Sequence, residues 1–296
     1  MNQAVRNLIK KVPYLKSIYG SGKRAIKELV VKAKINNLKK GQNEPFRPNK
    51  ESNLIVSMTS FPARINNVWI TVESIFQQDY KPWKVVLVLA ESEFPGRIIP
   101  KSLELQVRRG LEIIWTSQNT RSYKKLLPTR KAYPDAKIIT VDDDIIYESW
   151  RISGLLAAEK NHPNAIIGYR GWEIYGDDEE LKPYVTWPSA NKKTKENKVL
   201  LTGVGGIFYP PHVLNESILF DIDTALELAP TADDIWFWAV AVLSGVKIHC
   251  LGHARHFQIF PDDHENALST INVLGGRNDV QMKSVMEKYA LAERLK

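Results

Sequence analysis

Four short apolar runs separated by helix-like segments constrain this chain more than any other feature. LIVSMT (54–59), KVVLVLA (84–90), LEIIWT (111–116) and KIITVD (137–142) have strand length and are rich in β-branched residues. Between the first two, residues 65–78 put Val68, Val72, Ile75 and Phe76 on one helical face. Residues 101–109 read as a short helix, and 122–134 as a helix interrupted by Pro128. Near-continuous apolar strands alternating with helices predict an α/β, Rossmann-type fold: a mostly parallel central sheet with helices on both faces. Ligands of such sheets bind beyond the carboxyl ends of the strands. The second half is less regular, with a strand at 165–170, a lysine-rich loop near 191–198, a helix at 233–245 and a strand at 246–251. No internal repeat is visible, so residues 46–296 read as one domain.

Charge divides the chain differently. The net charge is +8, yet residues 1–40 hold eleven Lys/Arg and one acid, Glu28, while the remaining residues balance to −2. A basic stripe on the fold itself is therefore missing, which excludes a nucleic-acid-binding body. Residues 1–45 read instead as a basic amphipathic segment. Ile26, Leu29, Val30, Ala33 and Leu38 approximate helical spacing with lysines between them, the signature of a membrane-surface helix; packing on the domain or on a second subunit is the alternative. Residues 41–53, polar with two prolines, read as a linker. No run is long enough to cross a membrane, no signal peptide is expected, and the single cysteine, Cys250, fits a reducing compartment.

The fourth run ends in ITVDDDIIY, three carboxylates where a buried strand stops. Burying them without partners would cost several kcal/mol, on the order of the penalty for any unpaired buried ion. In extended chain Asp142 and Asp144 share one side and Asp143 faces away. Two oxygen ligands on one edge suit Mg²⁺ or Mn²⁺, whose other positions go to water and substrate phosphates. A solvated acidic turn is the alternative. The spacing of an EF-hand is absent.

Other strand ends offer complementary groups. TSFPARI (59–65) has no dinucleotide glycine fingerprint; Thr59, Ser60 and Arg64 present hydroxyls and a guanidinium for a base, ribose or phosphate, and Ser60 with Pro62 also suits a helix start. Arg121, Lys124 and Lys125 follow the third strand as candidates to neutralise a diphosphate. TGVGGIFYPP lacks the phosphate-loop pattern, but Gly205 and Gly206 allow close backbone approach to a ligand, or a tight turn. ADDIWFW places Asp233 and Asp234 in a first helical turn, which the helix dipole favours whatever the function. A carboxylate there can also take a proton from an acceptor hydroxyl or steady a sugar cation, and Asp234 is preferred if Asp233 caps. Trp236 and Trp238 divide between core and cleft wall. Among His249, His253, His256 and His264, a further metal ligand is expected from His256 or His253.

Taken in order, VDDDIIY, TGVGGIFYPP and ADDIWF resemble the GT-A class of nucleotide-sugar glycosyltransferases over roughly residues 53–280. The chain looks most like bacterial polysaccharide and lipopolysaccharide glycosyltransferases beginning TSFPARI. A fainter likeness runs to exostosin-type N-acetylhexosaminyltransferases, with their DDD motif, TG-containing loop and later acidic pair. The resemblance implies a GT-A-like fold and metal-dependent sugar transfer from a nucleoside-diphosphate sugar, UDP-linked, to a glycan or lipid-linked acceptor in cell-surface polysaccharide synthesis. It assigns Asp142 and Asp144 to the ribose and to Mn²⁺ or Mg²⁺, beside the further ligand expected from His256 or His253. Asp143 has the ribose or a supporting hydrogen bond. Thr59, Ser60, Arg64 and Lys124 line the nucleotide pocket, Gly205 and Gly206 border sugar and acceptor, and Asp234 and Asp233 form the catalytic pair. The implied place is the cytoplasmic face of the inner membrane, reached through residues 1–40. A non-catalytic carbohydrate-binding relative and a nucleotidyltransferase are the competing readings.

Overall fold

The computed structural model describes residues 13–176, 181–252, 257–258, 272–273 and 275–295, with side chains from residue 25 onward except at 257 and 258. The chain opens with α1 (Pro13–Gly41), then β1 (Leu54–Thr59), α2 (Val68–Phe76), β2 (Lys84–Ala90), α3 (Lys101–Arg109), β3 (Leu111–Thr116), α4 (Leu127–Ala132) and β4 (Lys137–Thr140). It continues through β5 (Ile145–Ile146), α5 (Arg151–Asn161), β6 (Ile166–Gly168), β7 (Gly171–Glu173), β8 (Val199–Leu201) and β9 (Ile207–Tyr209). Helices α6 (Glu216–Leu219), α7 (Ile222–Leu228) and α8 (Asp233–Leu243) follow, then β10 (Ile248–Cys250), β11 (Phe257–Gln258), α9 (Arg277–Lys288) and α10 (Ala292–Leu295).

Seven strands form the central sheet in the order β10-β6-β9-β4-β1-β2-β3. All run parallel except β9, which is antiparallel to both β4 and β6. The parallel α/β expectation therefore holds, with one reversed strand. Alternation along the strands explains the two cores. Leu54, Val56 and Met58 of β1, with Val85, Leu87 and Leu89 of β2, pack against α2; Ile55, Val86 and Val88 face the opposite layer, built on α8. Burial on both faces is why these strands read as unbroken apolar runs.

Helix α2 does more than fill space. Thr71 and Ser74 of this mostly apolar helix, and Gln78 two residues past its end, are buried. The Thr71 hydroxyl lies 2.8 Å from the Asp143 carbonyl and 2.9 Å from that of Ile145. Ser74 Oγ accepts from the Tyr147 amide, while Gln78 donates to the Glu148 carbonyl and accepts from the Ile152 amide. The helix and the residues just past its end thus fix the turn that follows β4.

The end of α1 lies on this body. Val31 and Leu38 are buried, Lys34 pairs with Glu148 at 3.0 Å, and Arg109 donates to the carbonyls of Gly41 and Glu44. The stretch read as a linker is also packed: Phe46 stacks on Phe76, ring centroids 4.3 Å apart. The opposite side of α1 is open, with Ile26 64% and Leu29 66% exposed. No described helix is long and apolar enough to cross a membrane.

Candidate active site

The carboxyl ends of β1 and β4 and the start of β9 meet at one edge of the sheet. Residues 142–144 form a turn there rather than extended chain, so the expected alternation of the three aspartates is only partly realised. Asp143 does point inward, accepting from Ser60 Oγ at 2.5 Å and from Arg64 Nη1 at 3.0 Å. Arg64 Nη1 also lies 3.1 Å from Asp144 Oδ2, so one guanidinium ties Asp143 and Asp144 together. The Asp142 amide donates to the buried Tyr147 hydroxyl at 2.9 Å, and its carboxylate turns to Lys125, 3.4 Å from Oδ1.

Lys125 carries the contact across the cleft. Its Nζ sits 3.0 Å from Asp233 Oδ2 in the first turn of α8, and Asp234 follows. Gly203 closes over this pair. A Cβ on it would stand 2.6 Å from Asp142 Oδ1 and 2.8 Å from Lys125 Nζ, so no larger residue fits without moving them. Gly205 is instead packed against Tyr169 and Arg170, and Gly206 has φ +85°, a conformation that glycine adopts freely. The segment from Gly203 to Gly205 forms a single 3₁₀ turn leading into β9.

Charge is unevenly matched at this edge. Asp142, Asp143, Asp144, Asp233 and Asp234 face two cations, Arg64 and Lys125. Burial, reinforced by Asp142, pushes the Asp144 carboxyl up to about 7. Burial and Asp233 push Asp234 to about 7 against the pull of Lys125. Asp234 Oδ1 is buried without a hydrogen-bond partner among the described residues. Burial also raises Asp143, offset by Arg64 and Ser60, and the surrounding carboxylates hold Lys125 firmly charged. Excess negative charge around an unsatisfied oxygen favours a positively charged partner. The donor set suits Mg²⁺ or Mn²⁺, which take one or two protein carboxylates and leave other positions to phosphates and water. No group of three or more His, Cys, Asp or Glu among the described residues is arranged as a complete metal cage.

The remaining candidates fall as follows. The Thr59 hydroxyl donates to the Val88 carbonyl and that of Ser60 to Asp143, so both donors expected for a nucleotide are engaged within the protein. Lys124, expected at the diphosphate, is buried and pairs with Glu93 and Asn119 at 2.8 and 2.7 Å; its neighbour Lys125 is the one among the aspartates. Arg121 donates to the Pro230 carbonyl. Trp236 and Trp238 are both core, and Trp238 donates to the Asn197 carbonyl. His249 stacks on His162 at 3.9 Å. His256, with His253 and His264, lies outside the described residues. Gly203 and Thr71 escaped the sequence reading; the polar spacing of α2 was the available signal for the second.

No protein-family model matches the sequence, and no curated protein does. Solved structures do match in fold. The mannosyltransferase PcManGT from Pyrobaculum calidifontis, in complex with GDP-Man and Mn²⁺, is 11% identical with a TM-score of 0.51, covering 93% of this chain and 85% of that one. S. aureus TarS 1–349 is 14% identical with a TM-score of 0.48, covering 80% and 72%. The same protein in complex with UDP is 12% identical with a TM-score of 0.46, covering 69% and 59%. At such identities the likeness is one of fold. The chain shares the Rossmann-like GT-A architecture of the mannosyltransferase, a mostly parallel sheet with helices around it.

Proposed function

We propose that the chain is a glycosyltransferase that moves a sugar from a nucleoside-diphosphate sugar, UDP-linked, to a glycan or lipid-linked acceptor in cell-surface polysaccharide synthesis, with Mn²⁺ or Mg²⁺. The observation that carries this reading is the charge imbalance at the sheet edge: five carboxylates from two separate segments converge on two cations. A scaffold of the same fold has no need to hold that charge against its own stability.

Asp142 and Asp144 are the carboxylates for the cation, which when bound supplies positive charge to the departing diphosphate. Arg64 keeps Asp143 and Asp144 in register, and Ser60 locks Asp143 so that the turn does not reorganise. Asp234 Oδ1, buried without a hydrogen-bond partner among the described residues, is the oxygen assigned to the base. The acceptor hydroxyl oxygen bonds to the anomeric carbon, the bond from that carbon to the phosphate oxygen breaks, and the nucleoside diphosphate leaves with the electron pair. Asp234 takes the hydroxyl proton. Gly203 and its neighbours keep the opposite wall close and low.

The membrane surface is the proposed location. The open face of α1 carries Ile26, Leu29 and Val30, with Lys27 and Lys32 exposed beside them, and each basic residue near an anionic leaflet contributes about 1 kcal/mol. Two copies pairing through this face would bring two strongly basic segments together, which disfavours a dimer. Flotation with anionic liposomes should recover the chain, and an Ile26→Gln/Leu29→Gln variant should stay behind. Equal recovery ends the membrane assignment.

For the activity, a thermal-shift screen of nucleotide-sugars with and without Mn²⁺ is the direct test. The correct donor raises the melting temperature only with the metal, and the purified chain hydrolyses it slowly in the absence of acceptor. Release of pyrophosphate from a nucleoside triphosphate would instead establish a nucleotidyltransferase.

A further inference from the structure

Lys125 and Lys124 are adjacent, both buried, and differently employed. Lys124 is paired by Glu93 and Asn119, away from the aspartates. Lys125, its side chain only 8% exposed, bridges Asp233 and Asp142. The two halves of this bridge are unequal. The Asp233 contact is 3.0 Å, with a carboxylate only 6% exposed; the Asp142 contact is 3.4 Å, with a carboxylate 26% exposed. The ammonium is therefore anchored on the inner side and exchangeable on the outer. Gly203 leaves the ammonium the space it occupies, since a Cβ there would stand 2.8 Å from Nζ.

We propose that Lys125 is a tethered counter-ion that holds Asp142 against a free divalent cation and surrenders it only when a diphosphate arrives to take the ammonium. The inference rests on the reading of Asp142 as a cation ligand. With Lys125 on Oδ1, a dication at the same carboxylate meets a fixed positive charge a few ångströms away in a poorly screened pocket. A diphosphate removes that conflict: its oxygens accept from Nζ while Lys125 keeps its Asp233 anchor, and the cation gains both Asp142 and the phosphates. The cation and the diphosphate then bind as one unit, each weakly alone, and by reciprocity each strengthens the other by the same factor. The arrangement keeps Asp142 paired and organised between turnovers. Lys125 is thus a positioning residue for the donor, with no part in bond making.

The test is Mn²⁺ binding followed by electron paramagnetic resonance, with inorganic pyrophosphate as the diphosphate probe, on the full chain and on Lys125→Met. In the wild type, pyrophosphate should tighten Mn²⁺ binding by about 100-fold, within the upper range of measured site couplings. Lys125→Met should bind Mn²⁺ alone about tenfold more tightly than the wild type, because a neighbouring like charge is gone, and should lose most of the pyrophosphate enhancement. Equal Mn²⁺ affinity in the two proteins, with Lys125→Met folded by near-ultraviolet circular dichroism, overturns the proposal while leaving the metal reading intact. If Lys125→Met does not fold, the wild-type titration decides alone, and Mn²⁺ binding that ignores pyrophosphate overturns it. Absence of Mn²⁺ binding by either protein under any condition removes the cation role of Asp142, and this proposal with it.

Discussion

Two buried carboxylate clusters stand on opposite sides of α2, and they are built on opposite principles. Behind the helix, Glu73 is fully buried and receives Arg109 at both oxygens, Gln106 at 3.0 Å and Gln77 at 2.8 Å. Arg109 also carries the carbonyls of Gly41 and Glu44, so this cluster fastens α1 to the domain. On the other side of the same helix, Asp142, Asp144, Asp233 and Asp234 share two cations with Asp143 and leave an oxygen unpaired among the described residues. The first cluster is closed: every charge is matched, and nothing from outside improves it. The second is open, and on the proposed function its cost to the folded chain would be recovered on binding a cation and a diphosphate. Burial alone does not distinguish structural acids from functional ones; the completeness of their partners does.

Exchanging the roles of the two clusters gives the largest contrast. Glu73→Ala strands Arg109 in a largely buried site and should lower stability by about 3–5 kcal/mol, the usual cost of breaking a buried pair. Donor binding by the folded fraction should be little changed. Asp144→Ala should do the reverse, reducing metal-dependent turnover by about 100-fold or more, as expected for removing a group that acts on the reacting diphosphate, while the melting temperature holds or rises. Chemical denaturation and donor turnover on both variants check the pair. Equal destabilisation would erase the distinction, and persistent turnover in Asp144→Ala would remove its assignment to the cation.

Gly203→Ala is a milder probe of the open cluster. The added methyl reaches into the Lys125–Asp142 contact, and such overpacking costs about 1–3 kcal/mol where the neighbours cannot move. Here the neighbours are the flexible ends of an aspartate and a lysine, so the stability loss should fall at the low end. Donor affinity should drop more than stability suggests, because the displaced groups are those proposed to meet the diphosphate. Isothermal titration with the donor and Mn²⁺, beside a thermal melt, separates the two effects.

Much of this was legible before any coordinates. The strands were visible because double-sided burial makes them apolar throughout, and the acidic turn because three carboxylates cannot follow such a strand without a reason. Less was legible where function depends on which way a side chain turns. Lys124 and Lys125 are equivalent as letters; only the 3₁₀ geometry of residues 121–125 sends one to Glu93 and the other to Asp142. Thr59 and Ser60 advertise hydroxyls, yet sequence gives no sign that Val88 and Asp143 already take their protons. Composition and spacing leave open whether the basic segment lies on a membrane or packs on the domain, because the burial of Val31 and Leu38 depends on a surface made by distant residues. Gly203 lay within a recognised glycine run, but its particular duty depends on atoms from β4 and the 121–125 turn.

The smallest effect is the most diagnostic of an open cluster. Asp144 and Asp234 are both raised to about 7 by burial and by neighbouring carboxylates. Their protons are therefore held more tightly in the folded chain than in the unfolded one, and protonation favours folding. The stability gained this way is fully present at low pH and is lost as pH rises through about 7. Between pH 6 and pH 8 each group should contribute a fall of about 1 kcal/mol in the metal-free protein. Denaturant unfolding at the two pH values measures it. The slope should shrink in Asp144→Asn, which cannot titrate, and persist in Gln106→Ala, which weakens the closed cluster without touching the open one. Adding Mn²⁺ with the donor should flatten or reverse the wild-type slope, since the ligands prefer the ionised carboxylates. A slope of the same size in Asp144→Asn would assign the titration elsewhere and make the two clusters electrostatically alike.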